Sequence, residues 1–254
     1  MRVGQWVVTT LAFALPGTMA FAQPAPAPDS SAYAALAKLP EIAGLWEMTF
    51  GGGPRAAPPE GPSFTPAYAA KLKSYQEAQA RGEIQDSPAA NCVPPGMPGV
   101  MTQPYPIDIL VTPGKITIIA EAYAQWRQIF TDGRKHPDDP DLTYNGHSVG
   151  HWEGDTLVVD SVGFTTDTAL GGFGMRHSDK MHIVERFKLA APDKLEIQTS
   201  ITDPDALTKP WNSTRVFARH REWTLAEYIC QQNNRNFTTD DGKSGINLKY
   251  EAQK

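Results

Sequence analysis

The feature that most constrains the fold is a series of short segments in which apolar residues alternate with polar ones. From Ile107 onward, IDILVT and KITIIA flank a Pro-Gly turn, and residues 146–164 (GHSVGHWEGDTLVVDSVGF) and 181–202 read as strand, turn, strand. Alternation with a period of two is typical of half-buried strands, and the turns between them predict hairpins. We therefore expect a mainly β domain.

An N-terminal strand and one helix complete the predicted architecture. IAGLWEMTF (42–50) alternates like a strand, and a helix is expected from Thr65-Pro66 to Gly82 because threonine followed by proline starts helices. Six prolines between residues 86 and 106 predict an irregular loop. No segment of 20–50 residues repeats, which excludes a solenoid or propeller. The sequence predicts one antiparallel, lipocalin-like β-barrel over residues 41–254, with an N-terminal helix and long Pro/Gly-rich loops.

The first 22 residues have the features of a signal peptide. A positive start precedes an apolar run over residues 6–15, which is shorter than the roughly 20 residues that span a bilayer. Ala20-Phe21-Ala22 predicts cleavage before Gln23, and residues 23–40 are expected to form a flexible leader and a short helix. We expect a periplasmic or secreted protein with no membrane insertion after signal removal.

Charge and cysteine content limit the partners and the compartment. Lys and Arg number 23 against 28 Asp and Glu, a formal net charge of −5, and no basic run occurs. This argues against nucleic acid or an anionic membrane as a partner, and leaves a homo-oligomer open. Cys92 and Cys230 could form one disulfide in an oxidising compartment, with two separate buried thiols as the alternative.

The hairpin at 146–164 carries the first candidate for chemistry. With Glu153-Gly154 as a two-residue turn, His147 lies opposite Asp160 on a face with apolar neighbours. A carboxylate that fixes the tautomer of an imidazole raises its basicity, which suits a general base. Alternatively this face is the outer wall, with Trp152 among the core side chains, because a one-residue change of register exchanges the faces.

A glutamate in an apolar row is the second candidate. Glu185 has the same parity as Met181, Ile183 and Phe187, so we expect it to point inward. A buried carboxyl is either a perturbed functional group or half of an ion pair with an arginine that braces the barrel. His177 follows the loop GGFG (171–174), which could act as a lid.

Further polar residues are expected to contact a ligand. Alternate positions of one segment are polar: Glu121, Tyr123, Gln125 and Arg127. This row indicates either a solvent face or the lining of a cavity, in which Arg127 would offer its planar fork to a carboxylate or a substrate oxygen. The turn at 131–137 carries Arg134 and His136, and binding residues often lie in such loops.

Metal and cofactor motifs are missing from the sequence. It contains no HExxH, CxxC or His-x-His, and no GxSxG, P-loop or GxGxxG after a strand. His147 and His151 lie on one strand face but roughly 14 Å apart, at about 7 Å per two residues, too far to share an ion. We therefore expect neither a metal nor a cofactor.

The blocks EAYAQWRQIFTDGRKHP and YNGHSVGHWEGDTLVVDSVGF resemble a large family of exported, mostly uncharacterised bacterial proteins. The resemblance covers most of residues 42–232, and its most specific block is GHSxGxWEGDTLVVD. It implies that Glu121, Arg127, His177, Glu185 and Cys230 match positions of the family pattern. Members usually read Cys-x-Glu-Asn where this chain has Cys-Gln-Gln-Asn, and the family has no settled activity.

Three functional hypotheses follow. The first is a cofactor-free acid/base lyase acting on a hydrophobic, aromatic molecule of the lignin-derived type, with His147 as base, tuned by Asp160. Glu185 or His177 would be the acid partner; the substrate would be held by Arg127, Glu121, Tyr123, Arg134 and His136. The second is a non-catalytic binding protein for a hydrophobic small molecule, and the third a structural envelope protein with a filled interior. Catalysis requires that the polar groups converge on one cavity.

Overall fold

Nine strands close into a barrel in a computed structural model, which describes residues 30–49, 60–83, 92–171, 174–230, 236–238 and 244–246. The strands are β1 (Gly44–Met48), β2 (Ile107–Thr112), β3 (Lys115–Ala120), β4 (Gln125–Phe130), β5 (His147–Glu153), β6 (Thr156–Val162), β7 (His182–Ala191), β8 (Lys194–Thr202) and β9 (Trp211–Arg219). A separate two-stranded sheet pairs β10 (Asn236–Thr238) with β11 (Ser244–Ile246). The helices are α1 (Ser30–Leu36) and α2 (Pro66–Ala80), and two 3₁₀ turns span Gly99–Thr102 and Ala122–Ala124. The predicted signal peptide lies outside the described residues.

The odd number of strands forces one parallel junction in the wall. Each strand pairs with the next in the chain, and β1 pairs with β9, so the ring of nine strands is closed. Strict antiparallel alternation around a closed ring needs an even number of strands. Here β4 and β5 run parallel and share two residue pairs, Ile129 with Ser148 and Phe130 with Val149. The prediction of a mainly β barrel is confirmed, with this one departure from antiparallel pairing.

Inward-facing aliphatic and aromatic side chains fill the barrel. Along β3 and the first parts of β2 and β7 the buried positions alternate, as the sequence pattern predicts, for example Ile107, Ile109, Ile183 and Phe187. One end is closed by Trp46, whose ring lies 4.3 Å from the guanidinium of Arg219 and whose indole N–H donates to the carbonyl of Ile42. These contacts fix the end of the barrel opposite to the helix α2.

Helix α2 begins after Thr65, as predicted, with proline at its first position. Aromatic side chains of α2 contact a loop as well as the core. Tyr68 is packed against the core cluster, while the ring of Tyr75 lies against Gly174. A Cβ at Gly174 would lie 2.5 Å from that ring, and φ at this position is +84°, so only glycine fits there.

The chain reverses after β3 instead of continuing as one long strand. Tyr123 and Ala124 have φ of +59° and +48°, in the left-handed region that L residues rarely adopt. This turn separates β3 from β4 and removes Glu121 and Tyr123 from the wall. The predicted polar row is therefore broken: of its members Gln125 and Arg127 remain in β4, and of these two Arg127 is buried.

The predicted disulfide between Cys92 and Cys230 is present, with the two Cα atoms 5.7 Å apart. It joins the start of the proline-rich segment (92–106) to the chain beyond β9, across 138 positions of sequence. Two distant parts of the chain are thereby fixed beside the same end of the barrel. Over the described ranges, no helix combines the length and apolar character needed to cross a membrane.

Candidate functional site

A buried ion pair crosses the interior of the barrel. Glu185 on β7 is 1% exposed, and its carboxylate accepts a hydrogen bond of 2.5 Å from Nη2 of Arg127 on β4. The same guanidinium donates to the hydroxyls of Ser148 and Ser161, which lie 2.8 Å from each other. Glu185 therefore points inward as predicted, and Arg127 neutralises it. The interpretation as a bracing ion pair accounts for both residues.

The space beside this ion pair is too small for a ligand. The cavity inside the barrel measures about 20 Å³ and is lined by Glu185, Thr199, Ser213 and Arg215, with aliphatic and aromatic side chains around them. A cavity needs roughly 10–15 Å³ to hold one water, so this space suits about one water molecule. The interior is filled by the protein's own side chains, and the expected enclosed ligand pocket is not found there among the described residues.

The predicted register of the β5–β6 hairpin is wrong by two residues. Glu153 pairs with Thr156, so the turn is Gly154-Asp155, and His147 lies opposite Val162 instead of Asp160. Glycine at the first turn position supplies the positive φ, +61°, that a tight hairpin turn requires there. A shift of two residues leaves every side chain on the same face of the hairpin, so the predicted division of residues between the two faces is correct.

The face that carries His147 and Asp160 is part of the outer wall, as the second interpretation of the hairpin proposed. Ser148, Leu157, Val159 and Ser161 are fully buried inside, while His147 and Asp160 lie on the outside and are partly exposed. Asp160 accepts hydrogen bonds from Nε2 of His136, at 3.0 Å, and Nε2 of His182, at 2.8 Å. The assignment of His147 and Glu185 to one interior site is contradicted, because the barrel wall separates them.

His177 is buried, and both of its ring nitrogens form hydrogen bonds within the connection between β6 and β7. It is 2% exposed. Nδ1–H donates to the carbonyl of Ser178 at 2.7 Å, so Nε2 is left to accept from the hydroxyl of Thr168 at 2.6 Å. Burial lowers the pKa of His177, which is therefore a neutral imidazole that holds two parts of this connection together.

A cavity of about 190 Å³ lies at the barrel end nearest α2, and we call it the mouth pocket. Its walls come from α2, the proline-rich segment, the β3–β4 turn and the loop after β6. The lining residues are Tyr75, Val93, Pro94, Pro95, Gly99, Thr102, Gln103, Tyr123, Asp167, Thr168, Ala169, Gly171, Gly174 and Arg176. This volume suits a molecule built on one substituted aromatic ring.

Contacts between residues that are far apart in sequence hold the walls of the mouth pocket in place. Tyr123 packs against Tyr228 with ring centroids 5.2 Å apart, and Tyr105 meets the same ring edge-on at 5.4 Å. Glu121 accepts a hydrogen bond from the backbone N–H of Ala226 at 2.8 Å. Strained backbone such as that of Tyr123 is often retained at binding sites. Glu121 therefore acts as a structural link here.

The remaining predicted residues lie on the outer wall or in its loops. Arg134 pairs with Asp132 and stacks on Phe130, with 3.9 Å from its guanidinium carbon to the ring centroid. His136 contacts His147. In the described part of the chain, no three His, Cys, Asp or Glu side chains are arranged to hold one metal ion. The sequence did not mark Tyr75, Thr168 and Arg176 as binding residues, and no motif in the chain singles them out.

Comparisons with known proteins show a similarity in solved structures only. No family model and no curated protein matches the chain. Crystal structures of the fluorescent protein UnaG, as wild type and as two mutants, align with a TM-score of 0.33 and 14% identity. The alignments cover 70–71% of this chain and 97% of UnaG. Values this low support no transfer of ligand or activity. The motif-based family resemblance stays a prediction.

Proposed function

We propose that this protein is an exported binding protein that holds a small aromatic molecule with one acidic group in the mouth pocket. The observation that carries the proposal is the pocket itself, a preformed cavity of about 190 Å³ with tyrosine and proline side chains in its walls. Small-molecule sites are typically concave, mostly apolar and provided with a few polar groups that fix orientation. The mouth pocket has this composition.

The acidic group of the ligand is inferred from Arg176. This residue lines the pocket, is half-buried, and forms no ion pair with any residue that the structure describes. A guanidinium at the edge of an aromatic pocket offers two parallel N–H donors to a carboxylate. Asp167 lies on the exposed side of the same pocket, where its carboxylate would disfavour ligands with a second negative charge.

Binding is favoured over the predicted lyase because the predicted catalytic groups do not converge. Glu185 is neutralised by Arg127 inside the barrel, His147 lies on the outer wall, and His177 is buried behind Thr168. The predicted elimination needs the base and its acid partner within reach of one substrate molecule. The filled barrel interior agrees with the structural-protein hypothesis, but that hypothesis gives no reason for the cavity at the mouth.

Export is proposed together with binding. The N-terminal sequence has the charge, apolar run and cleavage site of a signal peptide. The bond between Cys92 and Cys230 supports an oxidising compartment such as the periplasm or the cell exterior, because structural disulfides are rare in the cytosol. We propose a periplasmic or secreted protein.

Titration calorimetry with a panel of aromatic compounds tests the proposed function. The panel pairs benzoate, 4-hydroxybenzoate and 4-hydroxy-3-methoxybenzoate with the corresponding benzyl alcohols. For ligands of this size we expect a Kd of about 0.1 mM for the best acid. Arg176→Gln should weaken acid binding by about tenfold or more, because a charged hydrogen bond is lost, and should leave alcohol binding unchanged.

Arg134→Gln is the matched control. It removes an exposed arginine that the sequence assigned to substrate binding but that lies outside the mouth pocket, so acid affinity should not change. Mass spectrometry of the incubated mixture should recover the ligand unaltered. Equal affinity for each acid and its alcohol, or an equal loss in both arginine variants, would argue against the proposal.

A further inference from the structure

The parallel junction between β4 and β5 leaves a groove in the barrel wall, which we call the seam groove. The two strands share two residue pairs, whereas β7 and β8 share nine, so β4 and β5 diverge beyond that contact. The groove measures about 400 Å³ and is open to solvent. Its lining includes Trp126, Phe130, Tyr144, Asn145 and His147. It is separate from the mouth pocket, with which it shares no described lining residue.

The groove has an aromatic rim. The indole of Trp126 is 62% exposed on the outer face of β4. Phe130 stacks on the imidazole of His147 with centroids 5.4 Å apart and an interplanar angle of 27°. A planar aromatic molecule in the groove would therefore meet aromatic faces beside the imidazole.

A chain of hydrogen bonds connects that imidazole to a carboxylate. Asp160 can only accept, so Nε2 of His136, 3.0 Å away, must carry the shared proton. Nδ1 of His136 and Nδ1 of His147 lie 2.8 Å apart, and one proton lies between them. When both rings are neutral, that proton belongs to His147, and the free lone pair of His147 is then on Nε2. When Nε2 is protonated, the chain can pass positive charge to His136, next to the carboxylate.

The charged groups around His147 come from three elements. The loop after β4 contributes His136 and Arg134, whose charge is paired with Asp132. Strand β6 contributes Asp160, and β7 contributes His182, which donates to the same carboxylate oxygen. Burial lowers the pKa of His147, and the charges of His136 and Arg134 lower it further, so the ring is neutral at pH 7.

Unpaired polar atoms belong to two residues of the same groove. Nη1 of Arg127, a residue that is 3% exposed, and Oδ1 of Asn145 have no hydrogen-bond partner within the described ranges. A buried donor or acceptor without a partner destabilises the fold, because it has lost its hydrogen bonds to water. The amide of Asn145 is oriented by its Nδ2, which donates to the carbonyl of Trp126 at 3.0 Å. Both atoms are buried, and Arg127 points to Glu185 inside the barrel, so contacts in the open groove come from the side chains at its rim.

We propose that the seam groove is a second functional site, in which His147, held by His136 and Asp160, is a general base for small aromatic molecules with an acidic C–H bond. Nε2 takes the proton, and the electron pair of the C–H bond forms a new π bond as the leaving group departs with its own electrons. Solvent removes the proton from Nε2 afterwards, so the step needs no oxidant, metal or cofactor. Asp160 and His136 are positioning residues.

Base-promoted ring opening of 5-nitrobenzisoxazole tests the proposal. Removal of the C3 proton breaks the N–O bond, forms a nitrile and releases a yellow phenolate. His147→Gln should lower kcat/KM by about 100-fold, the lower end of the usual contribution of a general base. His151→Gln is the control, because His151 lies on the same strand and face, pairs with exposed Glu153, and takes no part in the chain. Circular dichroism verifies the fold of each variant.

The pH profile of the unchanged protein gives a second measurement that does not depend on a variant. Because the base must be unprotonated, kcat/KM should rise with pH, reach half its maximum below pH 6.5, and stay level above it. Asp160→Asn should move that midpoint to lower pH and reduce the plateau about tenfold, since the protonated imidazole loses its carboxylate. A rate that follows hydroxide at every pH, or equal rates in the His147 and His151 variants, would overturn the proposal. Binding at the mouth pocket would be unaffected by either result.

Discussion

At the scale of single residues, Arg127 and Glu185 show how a polar pair can serve structure at an inward position. Both are almost completely buried, and the guanidinium also donates to Ser148 and Ser161. Their link joins β4 to β7 across the interior, and β4 is one of the two strands at the parallel junction. A buried charge without its partner is far more costly than the intact pair.

Glu185→Gln should therefore lower the free energy of unfolding by about 3–5 kcal/mol, because Arg127 is left as an uncompensated buried cation. Urea unfolding followed by tryptophan fluorescence measures this change.

Glu153→Gln is the matched control. Its partner Arg186 is the neighbour of Glu185 in sequence but points outward, and an ion pair this exposed contributes less than about 1 kcal/mol. The double change Arg127→Met and Glu185→Leu should recover most of the loss. A cost below about 1 kcal/mol for Glu185→Gln, the range of an exposed pair, would contradict the bracing role.

At the scale of elements, the sequence could predict what depends on local patterns. Alternation predicted the hairpins and the inward direction of Glu185, and the threonine-proline pair predicted the start of α2. It could not determine which face of the β5–β6 hairpin points inward, because both faces carry apolar side chains. Packing against β7 determines this, and Ser148 and Ser161 point inward because Arg127 supplies their hydrogen bonds.

The mouth pocket could not be predicted for a different reason. Tyr75, Pro94, Tyr123 and Arg176 come from four separate segments, and their proximity depends on long-range links. One such link, the disulfide, was predicted from cysteine count and compartment. The left-handed conformation of Tyr123 has no signature in the sequence, since it is imposed by its surroundings.

Removing the disulfide should affect stability and binding together. Cys92→Ser with Cys230→Ser frees a loop of more than one hundred residues, which should lower the free energy of unfolding by about 2–5 kcal/mol. The affinity of the mouth pocket for aromatic acids should also fall, because one wall loses its attachment. Urea unfolding and calorimetry measure the two effects. In the unchanged protein a reducing agent should cause the same loss of stability and of affinity, and it should have no further effect on the double variant. A double variant with unchanged stability would contradict the stabilising role of the disulfide.

At the scale of the whole molecule, the barrel is stabilised from inside by a filled core and at its mouth by buried polar contacts. His177 belongs to the second group, because it connects Thr168 to the segment that leads into β7. Its neutral state links global stability to pH. The unfolded chain binds a proton at His177 near pH 6.5, whereas burial lowers the pKa of this group in the folded protein.

Acid should therefore destabilise the fold through His177. Its contribution is fully present above pH 6.5 and is lost as the pH falls from there toward the lowered pKa of the folded state, at about 1.4 kcal/mol per pH unit. Urea unfolding at several pH values between about 7.5 and 4.5 measures the slope. His177→Gln should remove that part of the slope, whereas His151→Gln, an exposed histidine, should leave it unchanged. Parallel slopes in all three proteins would refute this linkage.

The odd count of strands has a consequence for how the wall could change. A ring with one strand fewer or one more could alternate perfectly, and would then have no mismatched neighbours. The parallel pair beside Trp126 is thus imposed by the number of strands, whatever side chains they carry. Substitutions along the rim can alter what the opening accommodates, but removing the parallel pair would take the gain or loss of an entire strand.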